Sequence, residues 1–255
     1  MIFKRAVAKL RAQDWMAIVI EFAIVVAGVF VGTWVANWNA ERADKAQVER
    51  LITQLQPKLS EFIGLAADDQ AYYAVVRGYA KVAKAGWARG SAVSDRDFVV
   101  AAFQATEISP FNNNPFYDGS LLSVEEVRKV DDTALRERLL TLISYRSGFL
   151  DLFGEGSAYR EQVRSIIPDE VQQQILTDCG DKQPGPSRHF WLPKTCATTI
   201  EPAIARTTAA ALRARPDLVQ ALTSHLSHVN RHLFSDIAYG KLLALVDQRI
   251  TETRR

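Results

Sequence analysis

Trp15 to Trp38, WMAIVIEFAIVVAGVFVGTWVANW, decides how the rest of the chain is read. It holds one ionisable residue, Glu21, and one small-residue pair, Gly28 and Gly32. A bilayer core of ~30 Å takes about 20 apolar residues rising ~1.5 Å each, and this stretch exceeds that length. Trp15, Trp34 and Trp38 suit the interfacial belt, where an indole buries its ring and keeps its N–H wet. The alternative is a buried core helix, but 24 residues with a single charge are too long and uniform for one. We therefore expect a single transmembrane helix over 15–38.

The segment before it, 1–14, is a short basic tail with Lys4, Arg5, Lys9 and Arg11. Basic residues followed by an apolar run also describe a signal peptide. Here the run is too long, and Ala36-Asn37-Trp38 puts tryptophan where a cleavage site needs a small residue. An uncleaved anchor is the expectation. Four cations precede the span, whereas Arg42, Lys45 and Arg50 follow it. That margin puts the N-terminus in the cytoplasm and the body, 39–255, on the other side. A tail of this size leaves no room for a cytoplasmic output domain.

On a helix, positions 21, 25, 28 and 32 share one face, which reads Glu21, Val25, Gly28, Gly32. Small residues four apart let two spans approach closely, and a polar group on that face can bond across the pair. An acid inside a span is costly, and by default it marks a function. The alternative for Glu21 is that it reaches back to the cytoplasmic headgroups.

The pattern Trp15-x-x-Ile18-x-x-Glu21, Val25-Val26-x-Gly28-Val29 and Asn37-Trp38-Asn39-x-x-Arg42 resembles the start of an uncharacterised family of single-span bacterial envelope proteins. Phe116-Tyr117-Asp118 through Leu135-Arg136-x-x-Leu139 resembles that family's central segment, although Asp118-Gly119-Ser120 departs from its usual turn. The two patches cover about a third of the chain. The resemblance implies an anchored helical protein of bacterial envelopes and no activity; with the orientation drawn from charge, the expected location is the bacterial inner membrane with a periplasmic body.

Composition agrees with a helical body. The 255 residues are 48% hydrophobic and 24% charged with net charge +2, which lacks the basic excess of a nucleic-acid binder. After Glu41, apolar residues at Val48, Leu51, Leu55, Leu59, Phe62 and Ala66 recur at steps of three and four. The register carries on through Asp69, Tyr73, Val76 and Ala80. This predicts a core helix of a bundle, kinked at Pro57, weakened at Gly64 and ended by Gly86 to Gly90. Ser94 caps the next helix, and Ser123 with Glu126 forms a capping box. Asp131-Asp132 starts a long helix reaching Phe149 and Phe153. Gly154 and Gly156 interrupt it before Tyr159, and Pro168 opens a further helix at its first position. Ser109 to Pro115 is a loop, around which Phe111, Phe116 and Tyr117 either line a ligand mouth or pin the loop to the bundle.

Cys179 and Cys196 bracket a proline-rich stretch, CGDKQPGPSRHFWLPKTC. A loop of this length is loose unless closed. A disulfide there would persist only in an oxidising compartment, in keeping with the orientation drawn from charge. Zinc is disfavoured because His189 between the two cysteines gives no paired-ligand spacing. His189, Phe190 and Trp191 are either a contact surface or the packing that holds the loop down.

The last stretch, from Pro202, reads as two helices divided at Arg215-Pro216-Asp217. The second buries Leu218, Leu222, Leu226, Val229, Leu233 and Ile237. His225, His228 and His232 flank that face, with Asp236 one turn on. The spacing suits a metal ion or a pH sensor, but such boundary histidines are more commonly solvated. Nothing in the chain matches a phosphate-binding loop, a dinucleotide fingerprint, a nucleophile elbow or a Cys-x-x-Cys pair.

Taken together, the sequence predicts an all-α protein. A transmembrane helix precedes a helical bundle with a disulfide-closed loop, and no cofactor is called for. The expected function is interaction or sensing, with the bilayer and either another copy or another membrane protein as partners. The alternatives are a metal-dependent envelope enzyme built on the histidine stripe and a purely structural tether.

Overall fold

The computed structural model describes residues 15–109, 122–148, 157–183 and 190–253. Phe111, Phe116, Tyr117 and His189, the tail 1–14 and the segment 149–156 lie outside the described residues. At Trp15 and Asp236 only the backbone is described.

The described residues form eight helices and no strand. Helix α1 is Trp15–Trp87, α2 Asp95–Gln104, α3 Val124–Arg128 and α4 Thr133–Gly148. They are followed by α5 Ala158–Ile166, α6 Asp169–Cys179, α7 Pro202–Arg213 and α8 Leu218–Thr253. The chain divides into two compact units, Met1–Arg50 and Leu51–Arg255. The sequence expectation placed the boundary at 38/39. Residues 39–50 remain exposed or half-exposed, and the first buried side chain is Leu51.

In the first unit α1 is apolar and uncovered. Val19, Phe22, Val25, Phe30 and Trp34 are all more than half exposed. By length and composition this helix is able to cross a membrane.

In the second unit the same helix buries one seam. Ile52, Leu55, Leu59, Phe62, Ala66, Asp69, Tyr73, Val76, Ala80 and Ala83 follow steps of three and four without a break. That period keeps one face toward the bundle and excludes water from it. Pro57 lies on the solvent side, and α1 continues through it. The helix ends at Trp87, and Gly90 at φ 70° turns the chain, a conformation glycine adopts without a Cβ clash. Gly86 is required for a different reason: a Cβ there would overlap the Phe98 ring.

The shorter helices start where the sequence marks them. The Ser94 hydroxyl accepts from the Asp97 amide at 3.1 Å, and the Ser123 hydroxyl accepts from the Glu126 amide at 3.2 Å while donating to the Glu126 carboxylate at 2.8 Å. Asp132 accepts from the Leu135 amide at 3.0 Å. Pro168 is the N-cap of α6 rather than its first residue, because its ψ of 145° is extended. Every residue from Phe98 to Gln104 of α2 is buried, so this helix is the bundle's centre. It packs on α7 and α5, and α8 lies against α4 and α5.

Cys179 and Cys196 are joined in a disulfide with their Cα atoms 5.3 Å apart. Among its described residues the loop it closes carries an antiparallel bridge, Lys182 to Trp191, with both amides donating at 3.0 Å. Side chains of the bundle hold it: Tyr72 donates to Asp181, Tyr79 to the Pro193 carbonyl and Gln104 to the Cys179 carbonyl, each at 2.7 Å. Phe190 is half-buried, while Trp191 is 51% exposed.

Candidate functional site

Two places hold the residues that chemistry would single out. The first is the face of α1 in the first unit. Glu21, Val25, Gly28 and Gly32 are all exposed, and a Cβ at either glycine would meet nothing within 4 Å. Polar groups nearby are kept from an apolar surround. Thr33 donates its hydroxyl back to the carbonyls of Val29 and Phe30 at 3.0 and 2.9 Å. Trp34 and Trp38 are exposed, and the Arg42 guanidinium lies 4.8 Å above the Trp38 ring.

The second place is a polar cluster in the core of the bundle, which the sequence expectation missed. Asp69 of α1 and His232 of α8 are both buried, with Nε2 and Oδ2 2.7 Å apart. The Tyr73 ring meets the His232 imidazole edge-on at 5.2 Å, and the Tyr73 hydroxyl accepts from the Ser109 amide at 3.3 Å. A Cβ on Gly240 would touch Ala66 at 3.5 Å, so α1 and α8 run in opposite directions here.

Beside this pair, the buried chain leaving α2 is satisfied by two arginines of α5. Arg160 donates to the Thr106 carbonyl at 2.6 Å, and Arg164 donates to the Thr106 hydroxyl at 3.0 Å and to Glu107 at 2.8 Å. Arg160 reaches the second Glu107 oxygen at 3.7 Å, and Arg164 stacks over the Phe103 ring at 4.6 Å. Burial raises the Glu107 pKa, with Arg164 and Arg160 pulling it back down. Burial likewise lowers that of Arg164, and Glu107 opposes the shift. Burial pushes Tyr72 far up, reinforced by the Asp181 carboxylate that its hydroxyl bonds.

The three histidines do not converge. His225 is buried with Nδ1 2.9 Å from the Ser157 hydroxyl, which also accepts from the Arg160 amide as the α5 cap. Burial lowers the His225 pKa to about 4, helped by the positive Arg160, so its imidazole is neutral. His228 is half-buried, and His232 belongs to Asp69. Among the described residues no three His, Cys, Asp or Glu side chains gather as a metal site.

Two of the three are thus buried rather than solvated, because the inward face of α8 takes in His225 and His232 beside Leu218, Leu222, Val229 and Leu233, which are buried as expected. Its buried positions among the described side chains are 218, 222, 225, 229, 232, 233, 239, 243, 246 and 250, at steps of three and four apart from the adjacent pair 232 and 233 and the interval up to 239. Leu226 is only half-buried and Ile237 is 40% exposed. The signal available was the continuity of this period past Leu233, which passes through the two histidines.

The cluster is well suited to fixing which turn of α1 meets which turn of α8. A slip by one turn would strand a buried carboxylate and imidazole without partners, which apolar seams alone would tolerate. No protein-family model matches this chain, and no match is found among the curated proteins or the solved structures.

Proposed function

We propose that this is a single-span protein of the bacterial inner membrane. Its helical body lies on the periplasmic side and acts as an interaction or sensing module, associating with itself or with another membrane protein through the Glu21–Val25–Gly28–Gly32 face. The observation that carries the proposal is that the described side chains of the apolar half of α1 are exposed along a length able to cross a membrane. So much exposed apolar surface is out of place in water and at home in lipid. The disulfide supports an oxidising location for the body, and the excess of cations before the span supports the same orientation. The resemblance of the span to single-span envelope proteins points the same way.

Within lipid, hydrophobicity gives two spans no reason to meet. Close packing at Gly28 and Gly32 and a bond from Glu21 do. Within the second unit, the polar core holds α1 and α8 in one register. The test is self-association of the full chain in a bacterial membrane, read by disulfide crosslinking or energy transfer between labelled copies, with co-purification of partner spans. Gly28→Ile and Glu21→Leu should each reduce association. Unchanged association in both, with no co-purifying span protein, sinks the proposal.

A further inference from the structure

A groove of about 630 Å³ lies along the outer face of α1 in the second unit. Ala71, Ala74 and Gly78 form its floor and Tyr79 and Val82 its wall, and Lys194 of the disulfide-closed loop stands at its edge. The floor residues and Val82 are exposed, so the groove is an open trough. Ala71 to Val82 covers about three helical turns, or ~16 Å.

We propose that this trough is the docking site for an amphipathic helix of a partner protein, with an apolar stripe flanked by carboxylates. Charge selects the occupant. From Gln70 to Ser94 the chain carries Arg77, Lys81, Lys84 and Arg89 and no carboxylate. Arg77 and Lys81 each follow a floor residue by three positions, which puts them alongside the stripe. Neither they nor Lys194 form an ion pair among the described residues. These cations outnumber Asp68, which lies one turn before Ala71, and present a net positive rim that complements an acidic partner and repels the same face of a second copy.

Shape selects a helix over a small amphiphile. A small ligand is normally enclosed on most of its surface, which an open trough does not do, whereas an apolar helix face lies in such a trough along its length. Gly78 adds to this. A Cβ there would meet nothing within 4 Å, so the fold itself does not require the glycine, and a glycine weakens a helix interior. A floor without a side chain lets a second backbone come close.

This goes beyond the proposed membrane association and uses a different face of the protein. The test uses the full chain in neutral detergent. The probe is a fluorescent synthetic helix of about five turns carrying a leucine stripe flanked by glutamates. Fluorescence anisotropy is compared with the same peptide carrying lysines and with competition by phosphatidylglycerol vesicles. The acidic peptide should bind about tenfold tighter than the basic one, and the pair Lys81→Glu and Lys194→Glu should reverse that preference. Gly78→Leu should weaken binding at least ~10-fold while leaving thermal stability equal or higher, because leucine is the better helix former. Self-association through the span should be unchanged in these variants, so that a failure here is separable from a failure of the membrane proposal. Absent binding, equal binding of both peptides, an indifferent Gly78→Leu, or displacement by the vesicles would each overturn the docking site.

Discussion

Residues 19–38 and 51–83 belong to one helix and are both rich in large apolar side chains, yet they meet opposite fates. In the first stretch every side chain is exposed except the half-buried Val26. In the second, apolar residues are buried at each step of three and four. What differs is period. The first stretch is apolar all round and gives the rest of the chain no preferred face. The second alternates with Arg, Lys, Asp and Gln, and its one dry face closes on the bundle. Hydrophobic content alone therefore does not place a helix in a core.

That contrast is most sensitive at the one polar residue of the buried seam. Asp69→Leu leaves His232 without its carboxylate in the core and should cost about 3–5 kcal/mol in chemical denaturation. Adding His232→Leu should recover most of that loss. If the single variant is no less stable than the wild type, Asp69 does not hold α1 and α8 together.

Truncations sharpen the comparison. Leu59 is fully buried, and Leu59→Ala should cost about 3 kcal/mol by the same measurement. Phe30 is 71% exposed, and Phe30→Ala should change the stability of the body by less than ~0.5 kcal/mol. Equal costs would contradict the assignment of the two stretches to different surroundings.

A smaller effect is expected from pH. His225 is held neutral in the fold with its pKa lowered to about 4, against an ordinary 6.5. A histidine lowered on folding contributes stability that is complete above 6.5 and is lost as pH falls from there toward 4. Glu107 and Asp181 oppose this, since burial raises both and a raised carboxyl favours the fold as pH falls. The readout is therefore a difference. Relative to His225→Gln, the wild type should lose about 2 kcal/mol more between pH 7 and pH 4.5, after discounting for its partial solvation. A difference that does not change with pH would show that His225 is not buried neutral.

Features that rest on local chemistry were legible in the sequence. The buried seam of α1, the caps at Ser94, Ser123 and Asp132, and the Cys179–Cys196 bridge all follow from spacing and residue type within one segment. What escaped was set by partners far away in the chain. His225 and His232 broke the apolar pattern of α8, so the inward face was drawn through Leu226 and Ile237. Ser157 and Asp69, at sequence separations of 68 and 163, offset the cost of burying those histidines. Glu107 with Arg160 and Arg164 was hidden for the same reason: burying those charges depends on a meeting between α5 and the chain leaving α2. Pro168 shows a subtler limit, since its ring fits the cap as well as the first turn and only its ψ decides.

The central claim is that the uncovered half of α1 lies in a bilayer with the body outside the cytoplasm. It is tested most directly by external proteolysis of spheroplasts expressing the full chain, paired with alkaline carbonate extraction of their membranes. The account predicts that the chain stays with the carbonate-washed membrane and that added protease digests the body without lysis. Release of the intact chain by carbonate, or a body protected until the cells are lysed, would contradict it.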